Sequence, residues 1–415
     1  MTAAGRREAG AAAAIAWAAA RAGVALPLRL RAWDGSQAGP PGGPVLVIRS
    51  PRALRRLAWR PGELGLARAY ITGDIDVEGD LTEGLRRGWQ AARARKAGAA
   101  AAGLADAVLA AALAGKRLGA LGPPPPVPGS ELRHPGRPHT RSRDKAVVAG
   151  HYDLPVSFFR LILDPSMAYS CAFWERDEPG YGLADAQRAK LDMICRKLRL
   201  RPGSRLLDLG CGWGSLTVHA AREHQAQVTG VTLSDEQGTH VARRISEAGL
   251  AGRARVRVAH YRDADGGRYD AVASVEMGEH VGAARYPEFC AQLHRLLRPG
   301  GRVLIQQMSR RGRAPGGGAF IESYIAADMH MRPVGETIGL LEQAGLEVVH
   351  AESMRPHYVR TIRAWLGNLE RRFGEARTLL GDERARLWRL YLAGGALAFE
   401  ERRMGVDQIV AERPA

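Results

Sequence analysis

The sequence of 415 residues contains little cysteine and no long apolar run. The cysteines are too few for a disulfide framework and too widely spaced for a zinc site; they are Cys171, Cys195, Cys211 and Cys290. The Ala-rich stretch near the N terminus is short, is interrupted by Arg21 and lacks a convincing cleavage site. No other segment approaches the roughly 20 apolar residues that cross a bilayer. We therefore expect a soluble protein in a reducing, cytoplasmic setting.

Acidic residues are also scarce relative to basic ones, with 43 Asp and Glu against 60 Lys and Arg and a formal net charge of +17. This excess predicts an anionic partner, either nucleic acid or an anionic membrane surface. An Arg-rich genome with solvated charges is the alternative. Basic residues recur over 49–60, 86–96, 116–117 and 133–145, near amphipathic helical segments. This arrangement favours docking of the N-terminal region and linker on anionic lipid.

Proline, glycine and basic residues crowd residues 122–145, where little can be buried, so this segment is predicted to be an extended linker. Residues 1–121 before it are predicted to form a small α+β domain, and residues 146–415 after it a larger second domain. The elements predicted for the first domain are two short strands around a turn within 31–50 and helices over 52–59, 63–71 and 97–115.

Short apolar runs alternate with helical patterns through the second domain. The predicted strands are SRLLDL (204–209), AQVTGVT (226–232), ARVRVA (254–259), YDAVASV (269–275) and RVLIQQM (302–308). The predicted helices are GSLTVHAAREH (214–224), SDEQGTHVARRISEAG (234–249) and RYPEFCAQLHRLL (285–297). Alternation at this spacing predicts an α/β fold with a doubly wound, mostly parallel sheet.

A glycine-rich turn follows the first of these strands, in LLDLGCGWGSLT (206–217). Gly210, Gly212 and Gly214 leave room for a ligand to approach the backbone, at the edge of the sheet where ligands bind in doubly wound folds. Asp208 precedes them directly, and its carboxylate would repel a pyrophosphate but suits a sulfonium cofactor with a cationic amino-acid end. S-adenosyl-L-methionine therefore fits better than a dinucleotide, and the fold expected is Rossmann-like, of the class I methyltransferase type.

The second strand ends in GVTLSDEQ (230–237), with Thr232 and Ser234 where dinucleotide enzymes place an acid for the ribose hydroxyls. A dehydrogenase would also need the longer glycine spacing, which is absent here. A nucleic-acid methyltransferase would share the loop and the basic charge, but neither a base-flipping motif nor an RNA-binding module is found. No nucleic-acid partner is therefore expected.

Three further stretches complete an ordered set with the loop and the second strand end: HYDLPVSFFRLILDPSMAYSCAFW (151–174), MGEHVG (277–282) and PHYVRTIRAW (356–365). Together these motifs closely resemble the cyclopropane fatty-acid synthase family of S-adenosylmethionine-dependent lipid methyltransferases. The resemblance covers residues 146–400 or so, where the motifs occur in the family's order, and a weaker similarity extends to residues 50–81. Within the family the sequence is most similar to the actinobacterial enzymes that make 10-methylene acyl chains, precursors of tuberculostearic acid.

The resemblance implies methyl transfer from S-adenosylmethionine to the cis double bond of an unsaturated, oleoyl-type acyl chain in a phospholipid. The alkene becomes a carbocation, so the site must exclude water until a base removes a proton. It further implies residues that hold the cofactor. These are Tyr169, Ser170, Asp208, Gly210, Gly212, Gly214, Thr232, Leu233, Gln237, Tyr261 and Arg262, although His260 departs from the acid often found in the last motif.

In this family the base is a bound bicarbonate ion, and the resemblance assigns its ligands to Cys171, Glu279 and Tyr358 and to the backbone of Met308. Gln306 occupies the position of the family's histidine. Glutamine can hydrogen-bond an anion but carries no positive charge. We expect slower deprotonation, which gives a hydride time to shift and favours an exocyclic methylene over a cyclopropane ring.

Several alternatives remain open from the sequence. The same site could close a cyclopropane ring, and a non-catalytic lipid-binding protein with this fold is a more distant possibility. Family members are often homodimers, and a methylene product would need a separate reductase to become a methyl branch. The resemblance and the basic clusters together predict a peripheral protein on the inner face of the cell membrane.

Overall fold

The computed structural model describes residues 10–415 except 22, 24, 98–114, 117, 133–135, 153, 266 and 313–315. The chain divides into two compact units. The first falls within Met1–Glu131 and Leu380–Leu397, and the second within Leu132–Leu379 and Ala398–Ala415. Most of the helix predicted over 97–115 lies outside the described residues. The helices that are described include none long and apolar enough to cross a membrane.

The first unit contains a small mixed sheet whose strands are β1 (Arg29–Arg31), β2 (Gln37–Ala38), β3 (Val45–Ile48) and β4 (Ile75–Glu78). The strand order is β2-β1-β3-β4, with β1 and β3 parallel and the other two pairs antiparallel. Its helices are α1 (Ala11–Arg21), α2 (Arg52–Trp59), α3 (Glu63–Ile71) and α4 (Leu81–Ala97). The helices predicted over 52–59 and 63–71 are confirmed, whereas three strands rather than two occupy the region from Arg29 to Ile48.

A buried ion pair connects α2 to the turn before β4. Asp74 is 2% exposed, and its carboxylate accepts hydrogen bonds from Arg56 Nε (2.8 Å), Arg52 Nε (3.1 Å) and the Thr72 hydroxyl (3.0 Å). Arg56 is itself buried. Such a pair contributes little net stability as a whole, but removing one partner leaves a charge without compensation in a medium of low polarity.

A segment from late in the chain also belongs to the first unit. The Arg386 guanidinium donates to the backbone carbonyls of Tyr70 (2.6 Å) and Ile75 (2.8 Å) and pairs with Asp76 (3.1 Å). It also lies 4.3 Å from the centre of the Tyr70 ring, a cation–π contact. These contacts explain why Leu380–Leu397 groups with the first unit, which the prediction of two sequential domains did not anticipate.

The second unit is built on a seven-stranded sheet of order β10-β11-β9-β8-β5-β6-β7. Its strands are β5 (Arg205–Leu209), β6 (Gln227–Thr232), β7 (Ala254–Val258), β8 (Tyr269–Val275), β9 (Leu297–Ser309), β10 (Glu347–Ser353) and β11 (Gly405–Glu412). The first five are parallel, and β11 is antiparallel to both β9 and β10. All five predicted strands and the doubly wound fold are confirmed.

The helices of the second unit cover both faces of this sheet. They are α5 (Arg141–Tyr152), α6 (Val156–Ile162), α7 (Leu183–Lys197), α8 (Ser215–Glu223), α9 (Asp235–Glu247), α10 (Tyr286–Leu296), α11 (Ala319–Tyr324), α12 (Val334–Gln343) and α13 (Arg355–Arg371). The last helix, α14 (Phe373–Glu400), is divided between the units, because its middle part, Leu380–Leu397, belongs to the first. In β5, Leu206 joins one apolar cluster and Leu207 the other. Neighbouring residues therefore face opposite cores, as in a sheet buried on both sides.

Helix α5 begins at Arg141, within the last residues of the linker predicted over 122–145, so that end of the segment is helical. The arginines that suggested an open, solvated segment bind acidic residues of the same unit. Arg143 Nε lies 2.7 Å from an Asp328 carboxylate oxygen, and Arg141 pairs with Asp263 at 2.7 Å. Composition alone could not reveal these partners, which are distant in sequence.

We predict that replacing Asp74 with Ala destabilises the first unit by about 3–5 kcal/mol, because Arg56 would stay buried without its partner. Glu78→Ala is the control: it removes the pair with Arg31, whose side chains are 49% and 37% exposed, and should cost less than about 1 kcal/mol. Urea unfolding followed by tryptophan fluorescence measures both. Equal effects of the two substitutions would contradict the role assigned to Asp74.

Candidate active site

The glycine loop joins β5 to α8 and has three left-handed glycines, Gly210 (φ 78°), Gly212 (φ 52°) and Gly214 (φ 81°). Their surroundings differ. A Cβ built on Gly214 would lie 2.8 Å from Val241, so that glycine allows α9 to pack closely. A Cβ on Gly212 would meet no atom within 4 Å, so Gly212 borders open space. A ligand can therefore approach the backbone at Gly212.

A pocket lies directly beside this loop at the carboxyl ends of the parallel strands. The predicted cofactor residues that line it are Tyr169, Ser170, Asp208, Gly210, Gly212 and Gln237. The other predicted residues, Gly214, Thr232, Leu233, Tyr261 and Arg262, are outside the residues that line it. The motif order of the sequence thus brings segments from four elements to one cavity, as expected for a doubly wound sheet.

Asp208 and Gln237 present polar groups to this pocket. The Asp208 carboxylate accepts a bond from the Thr217 hydroxyl (2.8 Å), and burial raises the pKa of Asp208 to about 6. Gln237 accepts a bond from the Thr232 hydroxyl through Oε1 (2.7 Å), while its buried Nε2 has no hydrogen-bond partner among the residues that the structure describes. A buried donor with no partner is costly unless a ligand supplies the acceptor. The pocket therefore fits the polar nucleoside of S-adenosylmethionine.

Tyr261 and Arg262 form a short turn just beyond the end of β7. The Arg262 guanidinium lies 5.5 Å from the centre of the Tyr261 ring and donates to the His139 carbonyl (3.1 Å). His260, which replaces the usual acid of this motif, contacts the Asp144 carboxylate of α5 through Nε2 (3.1 Å). Asp144 thus supplies an acid next to the Tyr261 turn, although it comes from a distant part of the sequence. The contact of Tyr261 and Arg262 with a cofactor stays a prediction.

Tyr169 and Ser170 lie on the opposite wall of the pocket. The Ser170 hydroxyl accepts a bond from the Lys190 ammonium (2.8 Å), and Lys190 is only 1% exposed. Burial lowers the pKa of Lys190, while the nearby carboxylate of Glu276 opposes that shift. The Tyr169 ring packs against Trp365, with centroids 5.2 Å apart. This wall therefore combines one buried cation with aromatic faces.

Glu276, at the end of β8, is the centre of the polar network beside the loop, and the sequence analysis missed it. Its Oε1 accepts bonds from the backbone N–H of Cys171 (2.7 Å) and from Gln306 Nε2 (2.8 Å). Its Oε2 accepts a bond from the Tyr358 hydroxyl (2.6 Å). Glu276 also lines the same pocket as Gly210 and Gly212.

A second glutamine orients Gln306 within this network. Gln408 of β11 donates through Nε2 to Gln306 Oε1 (2.8 Å), and its own Oε1 accepts from the Lys197 ammonium (2.7 Å). Gln306 and Gln408 are both fully buried. The series from Lys197 through two amides points its N–H groups toward the carboxylate. Lys197 is itself paired with Glu352, so Gln306 reaches Glu276 as a neutral donor.

The bicarbonate assignment of the sequence analysis requires correction in its details. Cys171 takes part through its backbone, while its thiol contacts the carbonyls of Ala172 (3.4 Å) and Met354 (3.7 Å). Burial raises the pKa of this thiol well above its usual value, so the group is a neutral thiol. Cys171, Gln306 and Tyr358 do converge as predicted, but on a carboxylate of the chain itself.

Glu279 lies in a 3-10 turn over Gly278–His280 and is 1% exposed. Burial, reinforced by the charge of Glu276, raises the pKa of Glu279 to about 8, while the backbone N–H of Met308 acts in the opposite direction. Within the described part of the chain, Glu279 Oε2 has no hydrogen-bond partner. Glu279 therefore lies beside the backbone of Met308, as the resemblance implies. Neither residue is among the donors that hydrogen-bond Glu276, which are Cys171, Gln306 and Tyr358.

Glu276 could have been suspected from the sequence, because it immediately precedes the quoted motif MGEHVG at the end of a predicted strand. Acidic residues at such strand ends border the ligand site of doubly wound folds. The alternating pattern of YDAVASV ends at Val275, however, and nothing in it shows that three distant donors meet at the next residue.

Residues 139–409 match the family described as mycolic acid cyclopropane synthetase. A probable fatty acid methyltransferase of Pseudomonas putida is 36% identical over 397 residues, covering 94% of this chain and 92% of that protein. The tuberculostearic acid methyltransferase UfaA1 of Mycobacterium tuberculosis is 33% identical over 410 residues, covering 95% and 90%.

A solved structure supports the same relationship. The mycolic acid cyclopropane synthase CmaA1, complexed with S-adenosylhomocysteine and CTAB, superimposes with a TM-score of 0.61 and 32% identity, covering 65% of this chain and 98% of that one. S-adenosylhomocysteine is what remains of S-adenosylmethionine after methyl transfer. From its motifs, its fold and these similarities, the chain belongs to the mycolic acid cyclopropane synthetase family of S-adenosylmethionine-dependent methyltransferases.

Proposed function

We propose that this protein transfers a methyl group from S-adenosylmethionine to the cis double bond of an unsaturated acyl chain, oleoyl-type and carried by a phospholipid, and releases a 10-methylene product. The observation that carries the proposal is the position of a partly buried, hydrogen-bonded carboxylate and a series of aromatic rings beside the glycine loop. An alkene attacks a methyl group only if the site tolerates the resulting cation, and these two features meet that requirement.

Five aromatic rings connect the loop to the Glu276 network. They run in the order Trp213, Phe159, Tyr169, Trp365 and Tyr358, with neighbouring centroids 5.2, 5.8, 5.2 and 6.0 Å apart. Aromatic faces attract cations by roughly 0.5–2 kcal/mol or more when water is excluded. Trp213 and Tyr169 line the pocket itself, so a positively charged carbon formed there would lie among π faces.

When bound, S-adenosylmethionine supplies an electrophilic methyl on a positively charged sulfur. Gln237 and the loop around Gly212 would hold the nucleoside part, and Asp208 would face the amino-acid end. The substrate double bond forms the new C–C bond as the S–CH3 bond breaks, so the positive charge passes to the acyl chain. The apolar and aromatic walls keep water from adding to that carbon.

The length of the similarity favours the methylene product. The fatty acid and tuberculostearic acid methyltransferases match more than nine-tenths of this chain, whereas cyclopropane mycolic acid synthase 1 of M. tuberculosis matches 65%. Gln306 in place of a histidine supports the same outcome, since a neutral amide helps less in removing a proton quickly and the hydride shift can come first. Cyclopropane formation at the same double bond is the second candidate.

A methylene product also implies a separate reductase that acts on it.

Bicarbonate, the base implied by the family resemblance, stays a prediction for this chain. Its expected donors Cys171, Gln306 and Tyr358 hydrogen-bond Glu276 instead. A bicarbonate ion at that position would have to displace a side chain that already satisfies them.

We propose that the first unit docks on an anionic membrane surface and thereby brings the enzyme to its substrate. Trp59, Leu121 and Val127 are 58%, 59% and 42% exposed. They belong to adjacent segments, because Trp59 Nε1 donates to the Gly122 carbonyl (2.9 Å). Arg60 is exposed at the end of the same helix. Apolar side chains that insert and basic ones that attract anionic lipid are the usual pair of features on docking surfaces.

Several arginines of the basic clusters are bound internally, among them Arg49, Arg52 and Arg56, which pair with Asp76 or Asp74. The electrostatic attraction is therefore weaker than the formal charge of +17 suggests. Exposed apolar residues are expected to supply a correspondingly larger share of the binding.

The first prediction concerns the reaction. Purified protein incubated with methyl-labelled S-adenosylmethionine and dioleoyl phosphatidylglycerol vesicles should yield labelled acyl chains with an exocyclic methylene, identified by mass spectrometry and NMR. A product that is purely cyclopropanated would contradict the methylene assignment alone. Binding of the labelled cofactor with no transfer to any unsaturated lipid would contradict the enzymatic proposal.

The second prediction concerns the glycine loop. Gly212→Ala should weaken binding of S-adenosylhomocysteine about tenfold or more, which is about 1.4 kcal/mol per factor of ten, because its methyl group would enter the pocket. Gly203→Ala is the matched control: Gly203 also has positive φ (82°) and no atom within 4 Å of a built Cβ, so the backbone cost is similar. Calorimetry that shows equal losses in both variants would contradict the role of Gly212.

The third prediction concerns the membrane surface. Leu121→Ser should reduce binding to vesicles that contain anionic lipid about tenfold, through loss of roughly 1.5–3 kcal/mol of apolar burial. Leu379→Ser, at a residue 39% exposed in the second unit, is the control and should leave binding unchanged. Raising the salt concentration should weaken binding of the unaltered protein. Sedimentation that shows no effect of Leu121 or of salt would refute the docking surface.

A further inference from the structure

The group held by Cys171, Gln306 and Tyr358 is a carboxylate with the same planar O–C–O arrangement as bicarbonate. We infer that Glu276 is the base of the reaction, so that this protein carries its proton acceptor as a side chain and needs no bicarbonate. The inference rests on the proposed function and deepens it, because it names the atom that takes the proton. It is drawn from four independent features of Glu276.

The first feature is the number of free acceptor positions. An ionised carboxylate offers about four lone-pair sites. Oε1 uses two of them for the Cys171 N–H and Gln306, and Oε2 uses one for the Tyr358 hydroxyl. One position on Oε2 is left, on a residue that lines the cofactor pocket. The donors thus fix the carboxylate while leaving one lone pair for a proton from the substrate.

The second feature is the direction of the hydrogen bonds. The Lys197 ammonium can only donate, so Gln408 accepts from it through Oε1 and donates through Nε2 to Gln306. Gln306 in turn must donate through Nε2, and Glu276 Oε1 must accept. A proton on Oε1 would conflict with this order. The network therefore keeps Oε1 of Glu276 as an acceptor and leaves Oε2 as the oxygen that can take a proton.

The third feature is the backbone of Glu276, which has φ 53° in the left-handed region. A non-glycine residue in this region costs of order 1–2 kcal/mol and persists only where its surroundings determine it. The Glu276 N–H is held by the Gln306 carbonyl (2.6 Å), so Gln306 binds both the backbone and the side chain of this residue. Strain maintained in this way at a pocket wall is typical of a functional position.

The fourth feature is the difference between the surroundings of two neighbouring carboxyl groups, Glu276 and Glu279. Burial raises the pKa of Glu276, and the hydrogen bonds from Tyr358, Cys171 and Gln306 oppose that effect. The hydrogen bonds that oppose burial at Glu279 come from the backbone, including the Met308 N–H, and the pKa of Glu279 is raised to about 8. The donors around Glu276 therefore favour its charged form, whereas burial and the neighbouring charge of Glu276 favour the protonated form of Glu279. Two carboxyls separated in this manner have distinct roles.

The chemical step balances without another reactant. After the methyl group has joined the alkene and a hydride has shifted, the cation is tertiary and adjacent to the new methyl group. Glu276 Oε2 takes one proton from that methyl group. The C–H bond breaks, its electron pair becomes the exocyclic C=C bond, and the neutral Glu276 carboxyl later returns its proton to solvent. Removal of the proton before the shift would instead close a cyclopropane ring.

The first test removes the base while keeping its shape. Glu276→Gln should lower the yield of modified lipid by about 10²–10⁴-fold, the usual contribution of a general base. Affinity for S-adenosylhomocysteine should stay within about threefold and so show that the pocket is intact. Asp407→Asn is the control. Asp407 is a buried acid on β11, next to Gln408, which faces the Glu276 network. Neighbouring side chains of a strand point to opposite faces of the sheet, so the Asp407 side chain points away from that network. The Asp407→Asn variant should therefore stay active.

The second test distinguishes a side-chain base from an external one. Wild-type activity should be unchanged when bicarbonate is stripped from the buffer. Glu276→Gly relieves the backbone strain and leaves the three donors without an acceptor, so it should be inactive in stripped buffer. Added formate or bicarbonate should then restore turnover in a concentration-dependent manner, at least tenfold, and should do so in Glu276→Gly but not in Glu276→Gln, where the amide fills the space.

Three results would overturn the inference: wild-type activity that requires bicarbonate, a Glu276→Gln variant with full activity, or a Glu276→Gly variant that small carboxylates fail to rescue although it still binds S-adenosylhomocysteine. Failure of the proposed function gives a different result, because wild-type protein would then modify no lipid with or without bicarbonate. The pH dependence provides a further check, since activity should fall as the pH drops below the raised pKa of Glu276 and its carboxylate becomes protonated.

Discussion

The hydrogen bonds from Cys171, Gln306 and Tyr358 to a single, partly buried carboxylate are the interaction on which the rest of the site depends. They draw together residues separated by almost 190 positions: the chain before α7, the end of β9, and the first turn of α13. A charged group costs several kcal/mol to bury without such partners. The three donors offset that cost, and in doing so they determine where each of these elements lies beside the glycine loop.

The same constraint explains the composition of the surrounding strands. The parallel strands β5, β8 and β9 are apolar on both faces, yet Gln306 in β9 and Gln408 in β11 are fully buried amides. Each amide is hydrogen-bonded through both its oxygen and its nitrogen, and this series of hydrogen bonds begins at Lys197, at the end of α7. A polar network that is satisfied throughout rigidifies a core, whereas a single missing partner would destabilise it. The core of the second unit is therefore specified partly by its polar groups.

The sequence predicted the parallel half of the sheet well, because strands such as YDAVASV are short, rich in β-branched residues and separated by clear helical patterns. The C-terminal strands β10 and β11 were not predicted. In β10 most side chains are exposed, so little apolar periodicity marks it. The loop glycines and most candidate residues around the pocket followed from ordered motifs. Glu276 did not, because its importance arises from contacts between distant segments and from a left-handed backbone that no local pattern reveals.

The late segment Leu380–Leu397 gives the architecture a practical property. Arg386 completes the first unit through Tyr70, Ile75 and Asp76, although it follows nearly the whole methyltransferase sequence. No single cut in the gene can therefore release either unit intact. A protein shortened to its last 284 or so residues would retain a helix whose docking partners are gone. During synthesis the N-terminal unit must likewise wait for almost the entire chain to leave the ribosome before it can close.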